Sequence, residues 1–440
     1  MASQLTSTAT IFLSTLQDTV TPSILDLIRR LDGLASTRKT TTTVAVAIVA
    51  YLGFVRALRW RRYNAIHRQY HSRYDAKTGK WNLTPEEARR VMLVSSTYDM
   101  PKLLNSALAF ALFKTYAIPS ISKLLYATRE LGSKENVAKR YADTEILIST
   151  WVGCPINGFH DLTFKPDEKT PAEDPRAMIA LSRVNYLHSR YNISNDDYLY
   201  TLSLFIIEPI LWAKRYGWRA LSPMESQSYF IFWSEIGRRM GIHDIPETLE
   251  DLMAWSQAYE QEYMVPAKSN HQVAKLTTGE LVEGVPNVLG LRTFVERITV
   301  CLVEERVRVA MMQPSQPWYL HAFTSAVLHT SGFVQRWFCL PRISPSFPVN
   351  LDLPRDLSAP SHPNVYRSRP WYKPESSGLG YIRDRLLVAL GYYSAMPSPS
   401  LRSGGYRLEE LGPLHLEKTA NEEVVREAAR LQGCPMPKLR

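Results

Sequence analysis

Residues 40–58 read TTTTVAVAIVAYLGFVRAL, an apolar run broken only by Arg56 near its end. Nineteen residues in a helix cover about 28 Å, close to the hydrocarbon thickness of a bilayer. The threonine hydroxyls can bond back to helix carbonyls. Arg56 is placed to snorkel to the interface, with Tyr51 and Trp60 as interfacial anchors. The competing reading is an ordinary buried helix. A cleaved signal peptide fits worse, because the run starts late and is followed by Arg-rich sequence with no small-residue cleavage site. The sequence therefore predicts one transmembrane anchor over residues 40–60.

Arg56, Arg59, Arg61, Arg62 and Arg68 follow the run, and Arg29, Arg30, Arg38 and Lys39 precede it. The slight excess on the C-terminal side puts the large domain in the cytosol by the positive-inside rule. Two sequons, at Asn82 and Asn192, give a check on that orientation, since a glycan on either excludes it. Within residues 1–39, Ile11, Phe12, Leu16, Ile24, Leu27 and Ile28 suggest a short amphipathic helix on the bilayer, against a polar loop.

The chain has 440 residues, 45 % of them hydrophobic, and a formal charge of +10. That is enough apolar residue for a large core, and too ordinary a charged fraction for disorder. The basic residues are scattered except beside the anchor, and no nucleic-acid motif accompanies them. The charge is therefore read as suiting membrane lipids, with no nucleic-acid partner. The four cysteines form no CxxC pair, which supports neither a disulfide framework nor a structural zinc site.

Residues 84–340 carry helix signals. Thr84-Pro85-Glu86-Glu87 and Ser222-Pro223-Met224-Glu225 each combine an N-cap hydroxyl, a proline at N1 and a glutamate at N3. Residues 103–116 are apolar nearly all round and read as a buried core helix. Residues 199–212 read as a second core helix, ending or kinking near Pro209. Strand alternation is rare, so the fold class is all-α: a single transmembrane helix followed by a multi-helix globular domain. From residue 341 prolines recur too often for long helices, so residues 341–440 read as a proline-rich arm with short helices near 382–393 and 421–431.

No dinucleotide or P-loop glycine pattern, GxSxG elbow, HExxH or haem-thiolate loop is present. Two helical segments remain. In KRYADT (139–144), Arg140 and Thr144 are four apart and share a face, a pairing able to bind an anion or a reduced oxygen species. The competing reading is a surface pair between Arg140 and Asp143. In LSRVNYLHSRY (181–191), His188 follows Val184 and Leu187 at helical spacing. It is a competent iron ligand if its other nitrogen donates to an acceptor, and otherwise an ordinary core histidine.

These segments, with ALAFALFKTYAIPSISKLL (107–125), DDYLYTLSLFIIEP (196–209), WRALSPMESQSYFIFWSEIGRRMGI (218–242) and WSQAYEQEYMVP (255–266), resemble the fungal ER-bound oxygenases of the mycophenolic acid pathway type. That family is related to the latex-clearing rubber oxygenases. The resemblance covers most of residues 40–330 and fades through the proline-rich arm. It implies a rubber-oxygenase-like helical fold, an endoplasmic reticulum membrane location and use of dioxygen. It also implies haem b with His188 as the iron ligand, and Arg140 and Thr144 as catalytic residues on the distal side. A guanidinium and a hydroxyl suit that place, because dioxygen gains negative charge as it is activated. Two departures stand out. Asp143 occupies the position of a rubber-oxygenase lysine, and the upstream acidic residue has no counterpart in Ser122-Lys123-Leu124-Leu125.

The activity this implies is oxidative cleavage of a carbon–carbon double bond in a prenyl or terpenoid chain, within fungal secondary metabolism. The partners expected are membrane lipids and a lipophilic prenylated small molecule. The rival readings are a haem-free oxidative or rearranging enzyme of a polyketide-type pathway, and a non-catalytic membrane-tethered scaffold.

Overall fold

The computed structural model describes residues 38–131, 134–156, 174–352 and 359–433. The amphipathic segment expected before the anchor lies outside the described residues. The described residues open with α1 (Arg38–Gln69) and a minimal hairpin, β1 (Tyr74–Asp75) with β2 (Lys80–Trp81), in which Tyr74 pairs with Trp81. Then follow α2 (Pro85–Leu93), α3 (Pro101–Thr115), α4 (Pro119–Ala127), α5 (Lys134–Gly153), α6 (Arg176–His188), α7 (Asn195–Tyr216) and α8 (Pro223–Arg239). The remaining helices are α9 (Leu249–Tyr263), α10 (Lys268–Leu281), α11 (Leu291–Cys301), α12 (Glu305–Ala310), α13 (Trp318–Trp337), α14 (Gly378–Ala389) and α15 (Asn421–Gly433). The all-α expectation holds.

Local chemistry sets the starts of two of these helices. The Thr84 hydroxyl accepts from the Glu87 amide while the Glu87 carboxylate accepts from the Thr84 amide, and Ser222 with Glu225 repeats the exchange at α8. Between α2 and α3 a π-helical turn, Val94–Asp99, is tightened by Ser95, Ser96 and Thr97 hydroxyls donating to the Met92 and Leu93 carbonyls. The turn delivers Asp99 to Arg219, whose guanidinium also holds Glu225.

The core forms where α3 and α8 pack on α7, α8 on α2, α6 on α5 and α15 on α6. Of the two alternatives read at Pro209, an end or a kink, the end is excluded. α7 does not end at Pro209 but continues to Tyr216. Proline removes one backbone donor, but α7 is buried against α3, α8 and α9, and that packing offsets the loss. Beside the proline, the buried Glu208 carboxylate accepts from Lys114 Nζ and Trp212 Nε1. Trp371, Tyr372, Leu401, Tyr406, Leu411, Ala428 and Leu431 join the same apolar core as the early helices.

α1 is 32 residues long, about 48 Å, and apolar enough over its first half to cross a membrane. Val46, Ile48, Val49 and Phe54 are exposed, whereas Val55 is fully buried. Arg56, Tyr51 and Trp60, expected at the membrane interface, each meet the domain. Tyr51 donates to the Phe338 carbonyl at 2.8 Å, and Arg56 lies 5.9 Å from the Trp337 ring. Trp60 packs edge-on against Trp218 at 5.2 Å. Arg59 donates to the Cys339 and Leu340 carbonyls, and Arg62 to those of Arg342 and Ile343. These carbonyls belong to the irregular segment after α13, and the guanidinium donors satisfy backbone acceptors that no helix or strand pairs. The basic cluster thus ties the anchor to the domain.

Candidate functional site

α5 presents Arg140 and Thr144, and the neighbouring α6 presents His188 in its last turn. All three side chains line one cavity of about 270 Å³. Its walls are mainly apolar, with Leu147, Val184, Leu202, Phe205 and Trp233 among them, and Gly412, Pro413 and Leu416 contributed by the C-terminal region.

His188 lies deep in the protein. Burial, and then the nearby Arg140 cation, pushes its pKa down to about 4. The imidazole is therefore neutral at physiological pH and keeps a lone pair for a ligand. Its Nδ1 is buried with no hydrogen-bond partner among the described residues. The acceptor expected on the second ring nitrogen is thus not supplied by them. Tyr198 stacks obliquely at 5.5 Å from the His188 ring, and burial pushes its hydroxyl up to about 12.

Arg140 makes no hydrogen bond or ion pair among the described residues, so the surface pair with Asp143 does not form. Its charge is instead felt inside the cavity, by His188 and by the buried Tyr116 hydroxyl. Asp143 is buried and bound elsewhere. Lys139 Nζ donates to it at 2.8 Å, the Tyr372 hydroxyl at 2.6 Å and the Gly412 amide at 3.1 Å. Lys139 also donates to the Gly412 carbonyl at 2.6 Å and pairs with Glu417 at 3.2 Å. This hub holds the 412–417 segment over the cavity. Lys139 and Asp143 pair within KRYADT, but Tyr372, Gly412 and Glu417 come from distant sequence, and nothing local announces them.

Two further wall residues, Trp151 and Trp233, have buried indole N–H groups with no partner among the described residues. They are unsatisfied donors beside one apolar space, the pattern of a site built for a group that brings its own acceptors. No cluster of three or more His, Cys, Asp or Glu side chains able to hold a metal occurs among the described residues. A lone neutral imidazole facing an apolar cavity suits an iron already held by a macrocycle, and the unpaired guanidinium suits an anionic group near it. On these grounds the residues fit a haem.

The chain is similar to known oxygenases. Residues 169–329 match the family model described as ER-bound oxygenase mpaB/B'/Rubber oxygenase, catalytic domain, a span that contains His188 but neither Arg140 nor Thr144. The chain is 28 % identical over 409 residues to the ER-bound oxygenase mpaB' of Penicillium brevicompactum, covering 86 % of this chain and 89 % of that protein. It is 31 % identical over 284 residues to the ER-bound oxygenase mpaB of Penicillium roqueforti, covering 60 % of this chain and 88 % of that protein.

Proposed function

Because the chain belongs to the ER-bound oxygenase mpaB/B'/rubber oxygenase family, we propose that it is a haem-dependent oxygenase of the endoplasmic reticulum membrane. Its substrate is a lipophilic prenyl or terpenoid chain of fungal-type secondary metabolism. One carbon–carbon double bond is cleaved, and the two atoms of dioxygen become two carbonyl oxygens. Atoms and electrons balance without a reductant or a net proton.

The observation that carries this reading is the convergence of His188, Arg140 and Thr144 on one largely apolar cavity. Haem b, when bound, supplies the redox chemistry that activates dioxygen. His188 would hold the iron, its neutrality secured by burial and by Arg140. Arg140 and Thr144 stabilise the negative charge that develops on oxygen, in a low-dielectric site where fixed donors act strongly. The apolar walls bind the hydrocarbon chain and exclude water. The catalytic domain faces the cytosol, following the arginine excess on the C-terminal side of the apolar run in α1.

One observation favours a haem-free version of the same oxidation: no acceptor among the described residues orients the His188 ring. Absorption spectroscopy and iron analysis of the purified full-length protein decide between the two. A Soret band with about one iron per chain, strongly weakened by His188→Ala, is expected. Incubation with a prenylated substrate should then give carbonyl products. A colourless, iron-free protein that still forms them would sink the haem assignment.

A further inference from the structure

Two helices of the domain have almost no reason to fold in water. α13 spans 20 residues yet buries only Leu320, Thr324 and Gly332. α14 spans 12 residues and buries only Asp384. Helical stability in proteins comes mainly from burying an apolar face, so such helices need a cover. Their exposed residues are large and apolar. On α13, Tyr319, Phe323 and Val327 recur every four residues behind an exposed Trp318. On α14, Leu379, Ile382 and Leu386 are all more than half exposed.

The two faces are continuous. Phe294 of α11 meets Phe323 of α13 with ring centroids 5.8 Å apart. The turn before α11 carries Val288 and a fully exposed Leu289. Leu289 is held at φ +48°, where a branched side chain is strained and glycine would be cheaper. The same turn begins at Gly284 and Pro286, which lie beside Tyr392 and Gly391 at the end of α14.

The level of this face is set by the anchor. Tyr51 lies seven residues, about 10 Å, before the end of the apolar run at Leu58. Its hydroxyl is bonded to the Phe338 carbonyl just past α13. If residues 40–58 cross the hydrocarbon, the end of α13 lies at the depth that interfacial helices reach, about 5–10 Å below the headgroups. The charges agree. α13 contains no acidic residue, and the one on α14, Asp384, is buried on Lys373. The exposed Arg342 and Arg385, and the exposed Arg383 that also reaches Asp384 at 3.5 Å, are placed to meet phosphate headgroups.

We propose that the face formed by α13, the 284–294 turn and α14 is seated in the bilayer crossed by α1. The protein then combines a span with a broad interfacial footing on anionic phospholipid. The proposal rests on the reading of α1 as a membrane span, and the test separates the two.

Nitroxide labels placed at Leu289→Cys, Phe323→Cys and Leu386→Cys examine three separate elements. The full-length protein is reconstituted in phosphatidylcholine–phosphatidylinositol vesicles on a Cys434→Ser background, and Cys154, Cys301 and Cys339 are buried. Val49→Cys reports on the span and Glu250→Cys, exposed at the start of α9, on water. Collision rates with oxygen and with a water-soluble nickel chelate are read by power-saturation resonance. The oxygen-to-nickel ratio at the three face positions is expected to exceed that at Glu250 by about threefold or more, approaching that at Val49. Ratios equal to that at Glu250, with Val49 still in lipid, would overturn the proposal and leave the span intact. Suppression of both collision rates would overturn it in favour of a protein partner or a second copy of the chain. A water-like Val49 would remove the span and the footing together. A label that prevents folding at one position leaves the other two to decide.

Discussion

The guanidinium of Arg219 lies 4.7 Å from the centroid of the Tyr63 ring, so the anchor helix rests on a cation of the domain core. The same guanidinium donates to Asp99 at 2.7 Å and to Glu225 at 2.6 Å, and all three side chains are buried. Arg219→Met strands two carboxylates in the interior. The expected loss is about 3–5 kcal/mol of stability, read as a lowered denaturation midpoint. Tyr63→Leu removes the ring's contacts with Arg219, Trp60 and His67 but strands no charge, and should cost about 1–2 kcal/mol. Equal effects of the two substitutions would contradict this division.

Asp143 is expected to act on the shape of the cavity rather than on the reaction. Asp143→Ala releases Lys139, Tyr372 and Gly412 together and should cost a few kcal/mol, about 3–5. Tyr372→Phe removes one hydrogen bond and should cost about 1–3 kcal/mol, since Asp143 keeps two partners. Hydrogen exchange should rise around residues 412–417 in both variants, and more in the first.

Arg140 has no structural partner among the described residues, so replacing it should leave stability within about 1 kcal/mol. Turnover is another matter. Arg140→Gln should lower kcat about 10²–10³-fold if the guanidinium stabilises charge on oxygen. Thermal unfolding and product formation, measured on the same preparation, check both halves. A variant that turns over at the parent rate would remove Arg140 from the chemistry.

Glu280 predicts a pH effect of known sign. Its carboxyl is pushed up to about 7 by burial and then by Glu283 beside it, and its Oε2 is buried without a hydrogen-bond partner among the described residues. A folded pKa above the unfolded value means the native state binds the extra proton between about pH 4.5 and 7, so this group's contribution falls as pH rises through that window. Glu280→Gln should flatten that slope. At pH 8 the variant should be more stable than the parent by about 1–3 kcal/mol, a difference that shrinks toward pH 5.

Orientation can be read chemically. The hydroxyls of both sequons are committed to helix starts, Thr84 capping α2 and Ser194 capping α7. With the domain in the cytosol, the mass of the protein from a eukaryotic host should be unchanged by glycosidase. A glycan at Asn82 or Asn192 would place the domain in the lumen.

Much of the secondary structure is legible because its causes are local. The caps at Thr84 and Ser222 lie within four residues of their partners, and the all-round apolar run of α3 can only be buried. α7 shows the limit of such reading, since the cost of Pro209 is local while the packing that outweighs it comes from three other helices. At the site, the four-residue spacing of Arg140 and Thr144 is visible in KRYADT. That His188 faces the same cavity follows only from how α5 and α6 pack, which no periodicity encodes. Likewise Asp143 reads as a partner for Arg140 until Tyr372 and Gly412, 229 and 269 residues away, arrive to claim it.

The bonds from Arg59 to the Cys339 carbonyl join positions 280 residues apart in sequence. α1 is made early, and its docking partners leave the ribosome much later. At about 5–20 residues per second the delay is roughly a quarter of a minute to a minute. Over that interval Arg59, Arg62 and the otherwise buried side of Val55 have no protein to rest on, a burden typical of folds with distant contacts. The nascent chain therefore depends on its later portion, not on the anchor, for the moment at which it becomes rigid on the membrane.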